Sequence, residues 1–159
     1  MRRYLGSAVL AVAVAAAWIA MLPQAPIRQP IAFPHAKHQP TGCTVCHLGG
    51  GTKARAGIPD IAVCAKCHTT APAGTSAAWA AAVSGKTIAW VQVTQLPDHV
   101  MFSHRRHTTL GGLHCESCHG DMKQRWTPPG RSLVRLNMTT CLSCHRREGA
   151  AEDCAACHR

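Results

Sequence analysis

Ten cysteines divide without remainder among five copies of one short pattern: Cys43-Thr-Val-Cys46-His47, Cys64-Ala-Lys-Cys67-His68, Cys115-Glu-Ser-Cys118-His119, Cys141-Leu-Ser-Cys144-His145 and Cys154-Ala-Ala-Cys157-His158. Nothing else constrains the fold of this 159-residue chain as strongly, because no cysteine is left for a disulfide. Cys-x-x-Cys pairs alone would suit a zinc ribbon or a redox dithiol. Neither chemistry asks for a histidine after the second cysteine, and here one follows in all five copies. The pattern is the attachment signature of a c-type haem: two thiols add across the two vinyl groups of one porphyrin, and the adjacent imidazole reaches the iron from one face. Five c-type haems are expected, with His47, His68, His119, His145 and His158 as proximal iron ligands.

The opposite faces need ligands too. Eleven histidines minus five proximal ones leave six: His35, His38, His99, His104, His107 and His114. Four of these lie in a repeated element, Phe-x-His-x-x-His, at residues 33–38 and 102–107. Histidines three apart project to one side of a helical turn, so each element can offer two imidazoles. His99 and His114 stand outside the repeat, and at least one of the six has no iron to bind if every haem takes a single distal histidine. Met138, three residues before Cys141, is a further candidate that would raise the potential of its haem, although packing is the commoner fate of a lone methionine. Iron held by histidine on both faces has no open position, which favours electron transfer over catalysis.

Only two Phe, one Tyr and four Trp are present, and Ala and Val dominate the 47% hydrophobic content. A conventional core would be thin, so the porphyrins are expected to form it, with folding coupled to their attachment. The formal charge of +10 would otherwise suggest nucleic acid or an anionic membrane. Five haems bring about ten propionates, enough to cancel most of it, and no nucleic-acid motif is present.

Residues 5–22 carry no charge, follow Arg2 and Arg3, and end at Pro23. A signal peptide has a shorter apolar region, and Pro26 disfavours cleavage after Ala25, so residues 1–23 are expected to be an uncleaved transmembrane anchor, with Tyr4 and Trp18 at its ends. Charge places the rest of the chain outside the cytoplasm, the side on which thioether attachment of haem occurs. A Pro- and Gln-rich linker follows. Residues 24–70 then read as a two-haem module, 71–99 as a connecting segment and 100–159 as a three-haem module. Within the connector, the Ala-rich stretch 75–83 predicts one helix capped at Ser76 and stopped by Gly85, and 87–93 predicts an extended segment or short strand. Trp79 and Trp90 are expected on haem faces. The loop 120–137, with Lys123, Arg125, Arg131 and Arg135, is a candidate basic contact surface. The fold class is therefore mainly α and irregular, haem-cored, with short helices and loops plus one N-terminal transmembrane helix.

The doubled Phe-x-His-x-x-His element with its Cys-x-x-Cys-His sites resembles the class III multihaem cytochromes of the c3 and c7 type. Residues 90–104, Cys118-His119-Gly120, the 136–146 stretch and the terminal Asp153-Cys-Ala-Ala-Cys-His-Arg159 are similar to the membrane-anchored multihaem subunits of alternative complex III and of the quinone reductase complex of sulfate reducers. That resemblance implies an inner-membrane, periplasm-facing electron-transfer subunit seated on iron-sulfur and polytopic quinone-binding subunits. It also implies that His104 serves the haem on Cys115 and Cys118, that His107 serves a neighbour, and that His35 and His38 repeat the scheme. Where such relatives often carry a histidine this chain has Thr94, and His99 or Met138 would take that place.

The reading expected from all of this is a membrane-anchored pentahaem cytochrome passing electrons from a quinol-linked complex to a soluble cytochrome or other periplasmic acceptor. Its rivals are a free-standing carrier, a quinol dehydrogenase in its own right and a small multihaem reductase.

Overall fold

The computed structural model of the chain describes residues 2–21, 25–85 and 87–159. Seven helices are described: α1 (Arg2–Met21), α2 (Cys43–Cys46), α3 (Ile61–Cys64), α4 (Ser76–Val83), α5 (Glu116–His119), α6 (Met138–Glu148) and α7 (Cys154–Cys157). A 3-10 turn, His35–His38, and a π-helical turn, Arg106–Leu110, complete the regular structure. Among the described residues there is no strand, and one isolated antiparallel bridge joins Val100 to His158. The mainly helical and irregular class is thus what the chain adopts.

The transmembrane expectation needs correction. α1 forms where the uncharged run predicts a helix, yet no helix of the described residues is long and apolar enough to cross a membrane. Twenty residues reach roughly 30 Å, the bare thickness of a hydrocarbon core. Leu22 and Pro23, the expected end of the run, lie outside the described residues. Val9, Leu10, Val14 and Trp18 stand exposed along α1.

Polypeptide alone makes almost no core. Ile31, Ala82 and Ile88 are buried, with Phe33, Ile61, Ala78 and Trp90 packed against them. The chain exposes 12185 Å², whereas a compact protein of 16.9 kDa would expose about 7,700 Å². The small cluster ties the linker to α3, α4 and the segment after α4. Residues 87–93 run extended without a strand partner; instead the Gln29 side-chain amide donates to the Val91 carbonyl (2.7 Å) and accepts from its N–H (3.0 Å). Trp90 donates through Nε1 to the Pro59 carbonyl. α4 follows the expected limits, but its cap position is Thr75 rather than Ser76, and the Thr75 hydroxyl bonds back to the Pro72 carbonyl instead of capping the helix.

Two contacts fold the halves of the chain together. In the first, the loop after His47 is held by the turn at 104–110: Arg105 N–H donates to Lys53, and the Thr108 and Thr109 hydroxyls donate to Gly50 and Gly51. In the second, the loop 120–137 binds the N-terminal linker, Ile27 N–H to Gly130 and Ala36 N–H to Arg125. At Gly130 a Cβ would lie 2.6 Å from Pro26 Cβ, so only glycine admits this approach. The expectation of a simply exposed basic loop is therefore incomplete: Lys123 pairs with Glu116 at 3.5 Å, and the Nε of Arg125 is buried without a partner.

Candidate haem-attachment sites

Every Cys-x-x-Cys-His motif folds as one helical turn. The histidine N–H donates to the carbonyl of the first cysteine at 2.8 Å for His47, 3.0 Å for His68, 3.0 Å for His119 and 2.8 Å for His158; the fourth motif lies within α6. Side-chain caps start three of these turns: Asp60 accepts from Ile61, Asn137 from Thr140 and Asp153 from Ala156. All ten cysteines are free thiols. Among the described residues no cluster of three or more His, Cys, Asp or Glu is built to hold a metal ion.

What the structure does bring together is imidazoles in pairs. Ring centroids of His38 and His68 lie 6.2 Å apart, those of His104 and His119 6.3 Å apart and parallel within 2°, and those of His107 and His145 6.2 Å apart. Two imidazoles on opposite sides of one metal, each with a metal–nitrogen bond of about 2.0 Å and its ring centre about 1.1 Å beyond, have centroids about 6 Å apart. Three pairs therefore fit an iron between them. His99 and His158 stack at 5.4 Å, somewhat closer than that, across a bridge in which Met101 N–H donates to Cys157 and Arg159 N–H to His99. His35 has His47 as its electrostatic neighbour. In the second element the first histidine thus pairs with the next attachment motif and the second with the one after; in the first element His38 pairs with the second motif, and His35 neighbours the first. Neither His114 nor Met138 joins a pair, and both are exposed.

The phenylalanine of the element has a use that its sequence alone did not reveal. Phe33 stacks on His38 (4.5 Å, 25°) and meets His35 edge-on (4.9 Å, 88°); Phe102 treats His107 and His104 in the same way, with the same values. One ring thus orients two imidazoles. The other ring nitrogens are satisfied by backbone: Nδ1 of His38 by Pro34, His47 by Gly57, His104 by Ala54, His107 by Ser103 and His145 by Ala151. A ring that donates through Nδ1 to a carbonyl keeps Nε2 free to ligate; Nδ1 of His104 also lies 3.3 Å from the Ala56 N–H. His35 is different, since its Nδ1 is buried with no partner. These carbonyl partners have no sequence signature, because any residue supplies one.

Electrostatics favours the ligating form. Burial lowers His35, with His47 and His38 adding to it, and burial lowers His119, with His104 and His47 adding. Burial also pushes up four thiols, and each then feels a thiol of another motif: Cys64 feels Cys46, Cys115 feels Cys43, Cys118 feels Cys144 and Cys141 feels Cys157. Positive charge is left largely uncompensated by protein, with three ion pairs among the described residues, Lys123–Glu116, Arg146–Glu152 and Arg147–Glu148.

Residues 12–89 match the model of the class III cytochrome C family, and residues 100–159 match that of cytochrome c7 and related cytochrome c. The chain is similar to multihaem c-type cytochromes. Proteins of these families carry c-type haem with its iron and transfer electrons. One relative is the menaquinone reductase multiheme cytochrome c subunit of Nitratidesulfovibrio vulgaris strain Hildenborough, 29% identical over an alignment that covers 82% of this chain and 77% of the relative.

Proposed function

We propose that the chain is a pentahaem c-type cytochrome, each iron held between two histidines, that relays electrons as a subunit of a quinone-linked membrane complex. The imidazole pairs carry this reading: centroids 6.2–6.3 Å apart at three motifs are the spacing a six-coordinate iron requires. His47 with His35, His68 with His38, His119 with His104, His145 with His107 and His158 with His99 would be the five ligand sets. Each haem, once bound, supplies a one-electron Fe(III)/Fe(II) couple. The chain's own contribution is to attach it by two thiols, close both axial positions and exclude substrate from the iron.

The relative's name supports the assignment to a complex and puts menaquinone at the receiving end. That is the reverse of the expected relay from a quinol-linked complex to a periplasmic acceptor, and the reading adopted is a relay between a periplasmic redox protein and the quinone site of partner subunits, where two electrons and two protons convert quinone to quinol. Membrane attachment would rest on those partners, with the exposed apolar side chains of α1 covered by them. Free-standing operation is the alternative.

Two measurements test the reading. A pyridine haemochrome assay should return five haems per chain; four or fewer would refute it. A native gel of mildly solubilised membranes, stained for haem and analysed by mass spectrometry, should show the haem band in a large assembly with iron-sulfur and polytopic proteins. Migration alone would favour the free carrier.

A further inference from the structure

Sequence order would suggest that the second attachment site hands over to the third, where one module ends and the next begins. We infer instead that the five sites stand in single file in the spatial order second, first, third, fourth, fifth, so that the file ends at Cys64/Cys67 and at Cys154/Cys157. This deepens the pentahaem reading and rests on it.

Each junction has its own contact. The turn His35–His38 joins the second site to the first, since it presents His38 to His68 while His35 neighbours His47. Between the first and third sites lies the clasp of the two halves: Nδ1 of His104, the imidazole paired with His119, bonds to Ala54 in the loop that follows His47. There Cys115 has Cys43 of the first site as its neighbour. His104 and His107, on one turn, join the third site to the fourth. The fourth meets the fifth where α6 ends: His145 Nδ1 bonds to Ala151, Arg146 pairs with Glu152 at 2.7 Å, and Cys141 neighbours Cys157. No comparable contact links the second site to the third among the described residues.

The first site is therefore an interior position that every electron crossing the chain must pass, although it comes first in sequence. Entry and exit belong to the second and fifth sites, which fall in different modules.

Nuclear Overhauser contacts between haem substituents in the fully reduced, diamagnetic, detergent-solubilised holoprotein test the order directly. Five sets of haem resonances with contacts between the first and third, and none between the second and third, are expected. Five sets with a second-to-third contact would overturn the order and leave the pentahaem reading intact. Fewer than five sets would overturn both. Pulse-radiolysis reduction of two four-haem variants gives an independent check. Cys64→Ser/Cys67→Ser should leave all four remaining haems in rapid internal equilibrium, whereas Cys43→Ser/Cys46→Ser should lose rapid exchange with the second site. The reverse pattern would overturn the proposal.

Discussion

His99 and His114 are equivalent as sequence, two lone histidines outside the repeated element, and opposite as structure. The bridge from Val100 to His158 carries His99 to within 5.4 Å of the last proximal imidazole, while His114 points to solvent just ahead of Cys115. Replacing His99 with Ala should leave one iron per chain with an open face, seen as one equivalent of carbon monoxide bound by the reduced protein. His114→Ala should bind none, and Met138→Leu should leave the haem spectrum unchanged. Uptake of carbon monoxide by the native protein would contradict closed axial positions throughout. The five Cys-x-x-Cys-His motifs were legible as sequence, because covalent haem attachment would require them at fixed spacing, and each folds as a helical turn. The neighbour of His158 was not, since His99 is 59 positions away and is brought to it by the Val100–His158 bridge.

Elements here are short, and each depends on what flanks it. α6 closes at Gly149, which lies in the left-handed region (φ 63°) and lets Ala150 N–H reach the His145 carbonyl. Alanine at that position should cost about 1–2 kcal/mol, read as a lower denaturation midpoint of the holoprotein at unchanged slope, with five haems retained. Asp153→Ala, which removes the cap of α7, should cost about 1 kcal/mol. The π-helical turn Arg106–Leu110 is a further departure from regular geometry at a functional position; its Thr108 hydroxyl bridges Gly50 and His104. Thr108→Val should weaken the clasp by about 1 kcal/mol. The Phe-x-His-x-x-His repeat was visible as a pattern, but its phenylalanine as a brace for both imidazoles was not, because stacking depends on rotamers. The Ala-rich helix α4 was placed correctly from composition, while its cap was not, because Thr75 turns its hydroxyl backward to Pro72.

At the scale of the whole molecule, the three buried apolar side chains among the described residues cannot offset the conformational entropy of ordering so long a chain, which is about 1–2 kcal/mol per residue for the backbone alone. Chain made without haem attachment should therefore show no cooperative thermal transition and few dispersed amide resonances, and the holoprotein should show both. A well-folded apoprotein would mean that the polypeptide core is sufficient. The sparse aromatic content had already pointed to this.

On the proposed pairing, the turn His35–His38 and its counterpart at 104–107 would each carry ligands for two different irons on one scrap of backbone, braced by one ring. No adjustment there is private. A substitution that tilts one imidazole drags its neighbour, so the ligand fields of adjacent centres are mechanically geared, and selection on the potential of one must be answered at the other.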